Sequence, residues 1–269
     1  MKFIPRRLRR TADNSRGKMR WKDWVKGLTS VAIVLGIVYL LLGFVADAVA
    51  NSVSEETEAR WFSWIELGDA HPDDADDFAR AQACFDRLVT DPTLRPLPYK
   101  LVWLNEAAPN AFALPGGLVG VTQGLLDLVE SEIGLAFVLA HELGHHQNRH
   151  ALKRLGRVLV THAAVTLVSG AGDLSVLDNG LTFAGLAHTR GQEREADRFG
   201  LDLVHRTYGT TEGAFEFFEV VHEIQGDGSR LGNMLHSHPL TEDRIEDLQA
   251  RAATLPVTAP RELHAPQRF

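Results

Sequence analysis

Two histidines four residues apart constrain this chain more than any other feature of its sequence. His141 and His145 lie in the segment His141-Glu142-Leu143-Gly144-His145. On an α-helix this spacing places both imidazoles on one face, where they can bind a single metal ion. Glu142 can then point at a water molecule bound to that ion. The motif predicts a catalytic zinc site, provided that the segment is helical and that a third ligand follows downstream.

The residues around the motif predict a buried helix. Residues 132–150 contain no proline, and Ser131 or Glu130 stands where a helix start is expected. The apolar positions suit burial; they are Ile133, Leu135, Phe137, Val138, Leu139 and Leu143. A chain with 12 histidines can also contain this motif as a helix face with two structural histidines. The sequence around the motif therefore predicts the helix. Whether a third ligand exists downstream distinguishes a zinc site from two structural histidines.

The charge distribution excludes some partners. Residues 1–26 hold ten Lys or Arg residues against Asp13 and Asp23, which gives +8, and the net charge of -7 leaves -15 on the rest. An acidic body of this kind argues against nucleic acid as a partner. Cys84 is the single cysteine, so neither an internal disulfide nor a cysteine-based zinc site is expected.

An uncharged apolar run predicts a membrane anchor. Residues 27–46 carry no charge and would span about 30 Å as a helix, the thickness of a bilayer core. Trp21 and Trp24 precede the run at interfacial depth, and the basic head predicts a cytoplasmic N-terminus with the remaining chain across the membrane. The alternatives are a signal peptide cleaved after Ala48-Val49-Ala50 and a mitochondrial transit peptide; the length of the run favours an uncleaved anchor.

The remaining chain predicts a mainly α fold with a small β-sheet, an α+β domain. Residues 73–90 have the periodicity of an amphipathic helix, and residues 99–104 that of a strand. Residues 111–121 predict a second strand, interrupted at Pro115-Gly116-Gly117 by a bulge or by a hairpin turn. Proline here favours a sheet edge, which could bind a peptide as an added strand.

The third ligand is expected on a predicted helix at residues 181–208. Glu193 and Asp197 share one face of it, and Glu195 lies about 200° away, so Glu193 and Glu195 cannot both face a metal. Spacing alone does not choose between them. His141–His145 followed by Glu193-x-x-x-Asp197 resembles the metallopeptidase family of the CAAX prenyl endopeptidase, HtpX and BepA. Further matches are the segment from Asn110 through Pro115 to Gly117, His238-Pro239 and Arg244.

This resemblance, over residues 99–248, implies a role for each matching residue. His141, His145 and Glu193 would bind one zinc ion, with Glu142 as the general base for a zinc-activated water. Asp197 would fix a ligand imidazole, and His238 and Arg244 would face the oxyanion or hold the site together. The predicted substrate-binding residues are on the edge strand and its turn: Ala111, Phe112, Ala113, Gly116 and Gly117.

The sequence predicts five regions: a basic cytoplasmic segment at 1–26, a transmembrane helix at 27–48, a helical linker region at 49–98, a zinc metallopeptidase domain at 99–254 and a loose tail at 255–269. The prenyl endopeptidases and HtpX have several spans, whereas one is clear here, so a single-anchor enzyme of the bacterial inner membrane with an extracytoplasmic catalytic domain is expected. Unfolded or damaged membrane and envelope proteins would be its substrates. The alternative is a chaperone-like binding module that keeps zinc for structure.

Overall fold

The computed structural model describes residues 20–65, 75–170, 188–224, 237–239 and 241–256. Within these ranges the chain is mainly helical with one three-stranded sheet, which confirms the predicted fold class. The helices are α1 (Trp21–Ser52), α2 (Glu55–Trp61), α3 (Ala75–Leu88), α4 (Gln123–Leu128), α5 (Glu132–Gln147), α6 (His150–Ser169), α7 (Arg190–Tyr208), α8 (Glu216–Ile224) and α9 (Glu242–Thr254), and the strands are β1 (Lys100–Leu104), β2 (Ala111–Leu114) and β3 (Leu118–Thr122).

Side-chain caps begin the two helices that carry the predicted ligands. Ser131 accepts a hydrogen bond from the backbone N–H of Gly134 at the start of α5. At the start of α7, Thr189 and Gln192 form a reciprocal capping box. Gly209 ends α7 with a φ of 77°, a left-handed conformation that glycine adopts without strain. The local sequence therefore specifies where both helices begin.

The sheet has the order β1-β3-β2. β1 pairs with β3 in parallel, and β2 pairs with β3 antiparallel, so β2 lies at an edge of the sheet. Of the two alternatives for Pro115-Gly116-Gly117, the structure shows the hairpin turn, in which Gly116 and Gly117 have φ values of 90° and 95°. Both values lie in the region that favours glycine, which explains why these residues form the turn.

The helix that carries the two histidines is the centre of the core. Every residue of α5 from Ile133 to His146 is buried. α7 crosses α5, and α3 contributes Phe85 and Leu88 to the same apolar cluster. α3 thus packs into the core, although the sequence assigned it to the linker region. The boundaries of the five predicted regions stay a prediction.

α1 has the length and apolar composition that a membrane span requires, and it is the one such helix in the described part of the chain. Many of its apolar side chains are exposed, among them Leu35 at 60% and Phe44 at 73%. Its second half packs against α6. Several predictions fall outside the described residues: most of the basic segment, the beginning of the helix predicted from residue 181, and the tail after residue 256.

Candidate metal centre

α5 brings the two motif histidines together at the middle of the protein. The Nε2 atoms of His141 and His145 are 3.1 Å apart. Both residues are buried, with exposures of 6% and 0%. Their four-residue spacing makes this proximity a direct consequence of the helix.

α7 supplies a carboxylate to the same point. One oxygen of Glu193 lies 3.6 Å from Nε2 of His141, and the other lies 3.5 Å from Nε2 of His145. Glu193 is 1% exposed. Glu195 instead lies on the outer side of α7, where its carboxylate is 3.0 Å from Nε2 of His150 and its side chain is 62% exposed. Of the two glutamates that the spacing left open, the structure therefore brings Glu193 to the imidazoles.

The separations between these donor atoms suit a zinc ion. Tetrahedral zinc with bonds of about 2.0–2.1 Å holds its ligand atoms about 3.3 Å apart. The three separations among His141, His145 and Glu193 are 3.1, 3.5 and 3.6 Å. Two imidazoles and one carboxylate are also a donor set that catalytic zinc sites use. The residues present therefore fit the metal that the sequence predicts.

A buried ion-pair network contacts the ligands on the side that faces away from the metal position. Nδ1 of His141 lies 2.9 Å from Oδ1 of Asp197. Arg244, on α9, donates to Asp197 through Nε at 2.7 Å and Nη2 at 2.8 Å, and its Nη1 lies 2.8 Å from Glu193. Asp197 can thus accept the Nδ1 proton of His141 and leave the Nε2 lone pair free for a metal. In this structure Arg244 contacts the proposed ligand Glu193 and also Asp197, the carboxylate that positions His141.

Electrostatics favours the metal-binding protonation state at Glu193 and His145 and keeps Asp197 charged, but it acts in the opposite direction at His141. Burial lowers the pKa of His141, yet the contact with Asp197 outweighs burial and raises that pKa. Burial raises the pKa values of Glu193 and Asp197, but hydrogen bonds from His238 and Arg244 outweigh it, and both pKa values are lowered. Burial, together with neighbouring imidazoles, lowers the pKa of His145 well below its usual value. The carboxylates are therefore charged and His145 is neutral, the forms that bind metal ions.

Two further histidines line the site. The ring of His188 stacks on His145 with centroids 3.8 Å apart. Nδ1 of His150 lies 2.9 Å from Nδ1 of His145, so His150 contacts the far side of this ligand ring. The sequence did not single out His188. No spacing signal marks His188, because it precedes the first turn of α7 and reaches the site only through the packing of that helix.

His238 reaches the centre from the chain after α8. Its Nδ1 lies 3.3 Å from Nε2 of His141 and 3.2 Å from Oε1 of Glu193, both close to the ligand separations above. Its Nε2 lies 3.7 Å from Oε1 of Glu142. His238 is thus in reach of both the metal position and the predicted base.

Glu142 is buried without a hydrogen bond to either carboxylate oxygen from the part of the chain that the structure describes. Its exposure is 1%, and one of its oxygens groups with the imidazoles of His141, His145 and His238 within 4.8 Å. A buried carboxylate left unpaired costs free energy. Such an arrangement is expected for a carboxylate whose hydrogen-bond partner is a substrate or a reacting water molecule.

The predicted substrate-binding residues fall into two groups. Ala111, Phe112 and Ala113 lie on the edge strand β2. Gly116 and Gly117 lie in the hairpin turn, where a Cβ on Gly116 would be 2.9 Å from Phe62. A cavity of about 210 Å³ adjoins β2; its lining includes Ile65, Ala113, Leu114, Ala151, Leu155 and Leu159. An apolar cavity of this kind beside a strand edge suits the side chain of a bound peptide.

A helical domain in which one helix supplies His-Glu-x-x-His and a second supplies a glutamate is the arrangement of zincin-like metallopeptidases. Comparison with protein families gives the same result, because residues 75–252 match the model of peptidase family M48. The chain belongs to peptidase family M48, which confirms the predicted family. Enzymes of this family are in general zinc-dependent.

Individual relatives of this chain are named as proteases, which agrees with the family assignment. The mitochondrial metalloendopeptidase OMA1 of Schizosaccharomyces pombe is 30% identical over 169 residues, which cover 61% of this chain and 49% of that protein. The metalloprotease YcaL of Escherichia coli is 31% identical over 166 residues, 59% of this chain and 63% of YcaL. A putative beta-barrel assembly-enhancing protease of Vibrio cholerae is 30% identical over 183 residues, 63% and 38% of the two chains. The matches thus span roughly two fifths to three fifths of these relatives.

Proposed function

We propose that this chain is a membrane-anchored zinc metalloendopeptidase that hydrolyses peptide bonds in unfolded or damaged membrane and envelope proteins. His141, His145 and Glu193 would hold the zinc ion, and Glu142 would be the general base. The observation that carries the proposal is the meeting of the three buried ligand side chains from α5 and α7 at separations of 3.1–3.6 Å. Buried Glu142 lies beside them, with one oxygen within 4.8 Å of both imidazoles.

Glu142 performs the proton transfers. Its carboxylate, which accepts no hydrogen bond from the described residues, takes a proton from the attacking water and then delivers it to the leaving amine nitrogen. A bound zinc ion supplies the Lewis acidity that makes the water acidic enough and polarises the scissile carbonyl. His238, 3.7 Å from Glu142, is placed to donate to the oxyanion. Asp197 and Arg244 are positioning residues, because they contact ligands and not the reacting atoms.

Substrate binding is assigned to the edge strand. A peptide added antiparallel to β2 forms main-chain hydrogen bonds, which do not depend on sequence. The cavity beside Ala113 and Leu155 then accepts an apolar side chain. Extended, apolar segments are exposed in unfolded proteins and hidden in folded ones, so this mode of binding selects damaged substrates.

The location is inferred from α1. An uncharged run that follows a basic segment supports an anchor with a cytoplasmic N-terminus and an extracytoplasmic catalytic domain. Relatives from Escherichia coli and Vibrio cholerae, some named for β-barrel assembly, support the bacterial inner membrane and a role in the envelope.

The activity is tested with the full-length chain in detergent. Bound zinc and casein cleavage are measured for the wild type, for Glu142→Gln and for the exposed control Glu212→Gln. We expect one zinc ion in all three, with cleavage reduced about 10²–10⁴-fold in Glu142→Gln, the contribution typical of a general base. Equal cleavage by Glu142→Gln and the control, or a wild type without zinc, would refute the assignment. If casein and other unfolded proteins are spared while a single defined bond is cut, only the broad substrate class is wrong.

A non-catalytic, zinc-containing binding module is the second candidate. The observation that favours it is the position of His238, whose Nδ1 is close enough to the ligands to complete four protein donors, as structural zinc sites have. This alternative gives the buried carboxylate of Glu142 no role. It predicts zinc in the wild type without any cleavage that depends on Glu142, so the same assay separates the two.

A further inference from the structure

The second half of α6 has an apolar surface that the metal centre does not use. Residues 158–169 contain no Asp, Glu, Lys or Arg, whereas the first half of the helix contains Lys153, Arg154 and Arg157. In the second half, Leu159, Val165 and Leu167 are 40%, 57% and 87% exposed. A stretch of this kind marks contact with an apolar environment.

α6 lies antiparallel to the membrane anchor. At its beginning, Arg149 donates to the carbonyl oxygen of Ala50 at 3.1 Å. One to two turns later, a Cβ on Gly156 would be 3.5 Å from the Cβ of Ala46. Further along, both helices line one groove, α1 with Tyr39, Leu40 and Gly43, and α6 with Val160 and Thr161. Each step toward the end of α6 is therefore a step deeper along the apolar run of α1.

The last charges on the two helices lie side by side. Arg157 is the last charged residue of α6, and Asp47 is the first charged residue after the uncharged run of α1. Nε of Arg157 donates to Oδ1 of Asp47 at 2.8 Å. Charged side chains are costly in hydrocarbon and collect at its boundary. This pair therefore marks the level at which water gives way to the bilayer on both helices.

We propose that the second half of α6 inserts into the bilayer beside α1, with lipid acyl chains against Val165 and Leu167. The inference rests on the proposed membrane anchoring of α1. Ser169 lies eight residues beyond Thr161, so the helix continues about 12 Å past the groove. His162, the titratable side chain in this half, has its Nδ1 3.5 Å from Oγ1 of Thr166 in the same helix, which gives its polar group a local partner.

This insertion fixes the height of the metal centre. His150, the first residue of α6, contacts the ligand His145, and it precedes Arg157 by seven residues, or about 10 Å along the helix axis. Arg149 ties the same end to α2, since its Nη2 is 2.9 Å from Glu55. The catalytic site is therefore held about 10 Å from the bilayer boundary. The substrate class narrows to peptide segments next to the membrane surface.

Spin labels on single cysteines test the insertion. In a Cys84→Ala background, Leu167→Cys on α6, Leu35→Cys on α1 and Arg198→Cys on the exposed face of α7 are labelled. The full chain is reconstituted into vesicles of phosphatidylcholine and phosphatidylglycerol. Collision rates of each label are measured with oxygen, which concentrates in lipid, and with a water-soluble nickel chelate. We expect the oxygen-to-nickel ratio at Leu167 to match that at Leu35 and to exceed that at Arg198 severalfold.

Every other result contradicts either the insertion of α6 or the anchoring by α1. A high nickel rate at Leu167 with a lipid-like Leu35 would overturn the insertion and leave the anchor intact. Low rates with both reagents at Leu167 would show a protein contact in place of lipid and would also overturn it. A high nickel rate at Leu35 would refute the anchor, and the insertion with it.

Discussion

At the scale of single residues, Arg244 supports the site by contacting two of its carboxylates. It contacts Asp197 through two nitrogens and Glu193 through a third, all at 2.7–2.8 Å, and it is 3% exposed. Asp197 in turn contacts His141. One guanidinium thus orients two of the three proposed ligands. A lysine could not replace it, since an ammonium group lacks the planar fork that contacts a carboxylate at two points.

We expect Arg244→Met to weaken zinc binding about 10–100-fold, because ligands lose their supporting contacts. Stability should fall by about 3–5 kcal/mol, the cost of leaving buried carboxylates without their partner. Zinc affinity is measured by competition with a chelator, and stability by denaturant unfolding. The control is Arg198→Met, which breaks an exposed pair with Asp247 and should cost at most about 1 kcal/mol. Unchanged zinc affinity in Arg244→Met would contradict the positioning role.

At the scale of elements, the distance between α5 and α7 determines whether the ligands meet. A Cβ on Gly144 would lie 2.8 Å from the carbonyl oxygen of Ala196, and one on Gly200 would lie 2.9 Å from the backbone nitrogen of His141. Both contacts are with backbone, which cannot rotate away. The two glycines therefore allow the helices to approach closely enough for Glu193 to reach the imidazoles.

Gly200→Ala should destabilise the protein by about 1–3 kcal/mol, because the added methyl group overpacks the crossing. It should also lower zinc affinity, since Glu193 moves with α7. Gly191→Ala, on the same helix, is the matched control: its Cβ would meet nothing closer than 3.9 Å, and the higher helix propensity of alanine should add up to about 1 kcal/mol. Thermal unfolding and chelator competition on both variants check this. A Gly200→Ala protein as stable as the wild type would show that α5 and α7 leave room for a methyl group where they cross.

At the scale of the whole molecule, α1 and the domain that carries the metal centre are one connected unit. Arg149 contacts Ala50 near the end of α1 and Glu55 on α2, and the next residue, His150, contacts the proposed ligand His145. Arg95, which is 9% exposed, pairs with Glu58 at 2.6 Å and adds a second link to α2. If α1 and the second half of α6 insert into the bilayer as proposed, this geometry would hold the site at a set height above the membrane surface.

Two membrane-anchored reporters test this consequence. Both carry the same unfolded, cleavable segment, either directly after their transmembrane helix or after a rigid helical spacer of about 60 Å, which is roughly 40 residues at 1.5 Å each. In vesicles that also contain the full chain, we expect the near reporter to be cut faster. In detergent, where the common bilayer is lost, the two rates should become equal. Equal rates in vesicles would argue against a site held at the membrane surface.

The sequence by itself determined the features that depend on local periodicity. Four-residue spacing places His141 beside His145 on any helix, the cap at Ser131 begins that helix, and an uncharged run of 20 residues at 27–46 is long enough to cross a bilayer. The glycines of the hairpin turn follow the same logic, although the sequence left a bulge equally open. These properties need only the chain's own geometry, which neighbouring residues set.

Only the tertiary structure decided which distant groups meet. Spacing could not choose between Glu193 and Glu195, and the packing of α7 on α5 turns the first inward and leaves the second exposed. The same packing brings in His188, which has no sequence signal. A separate set of contacts places α6 alongside α1. Such contacts join residues 40 to 120 positions apart, and they depend on the shapes of whole helix faces, so no local pattern in the sequence encodes them.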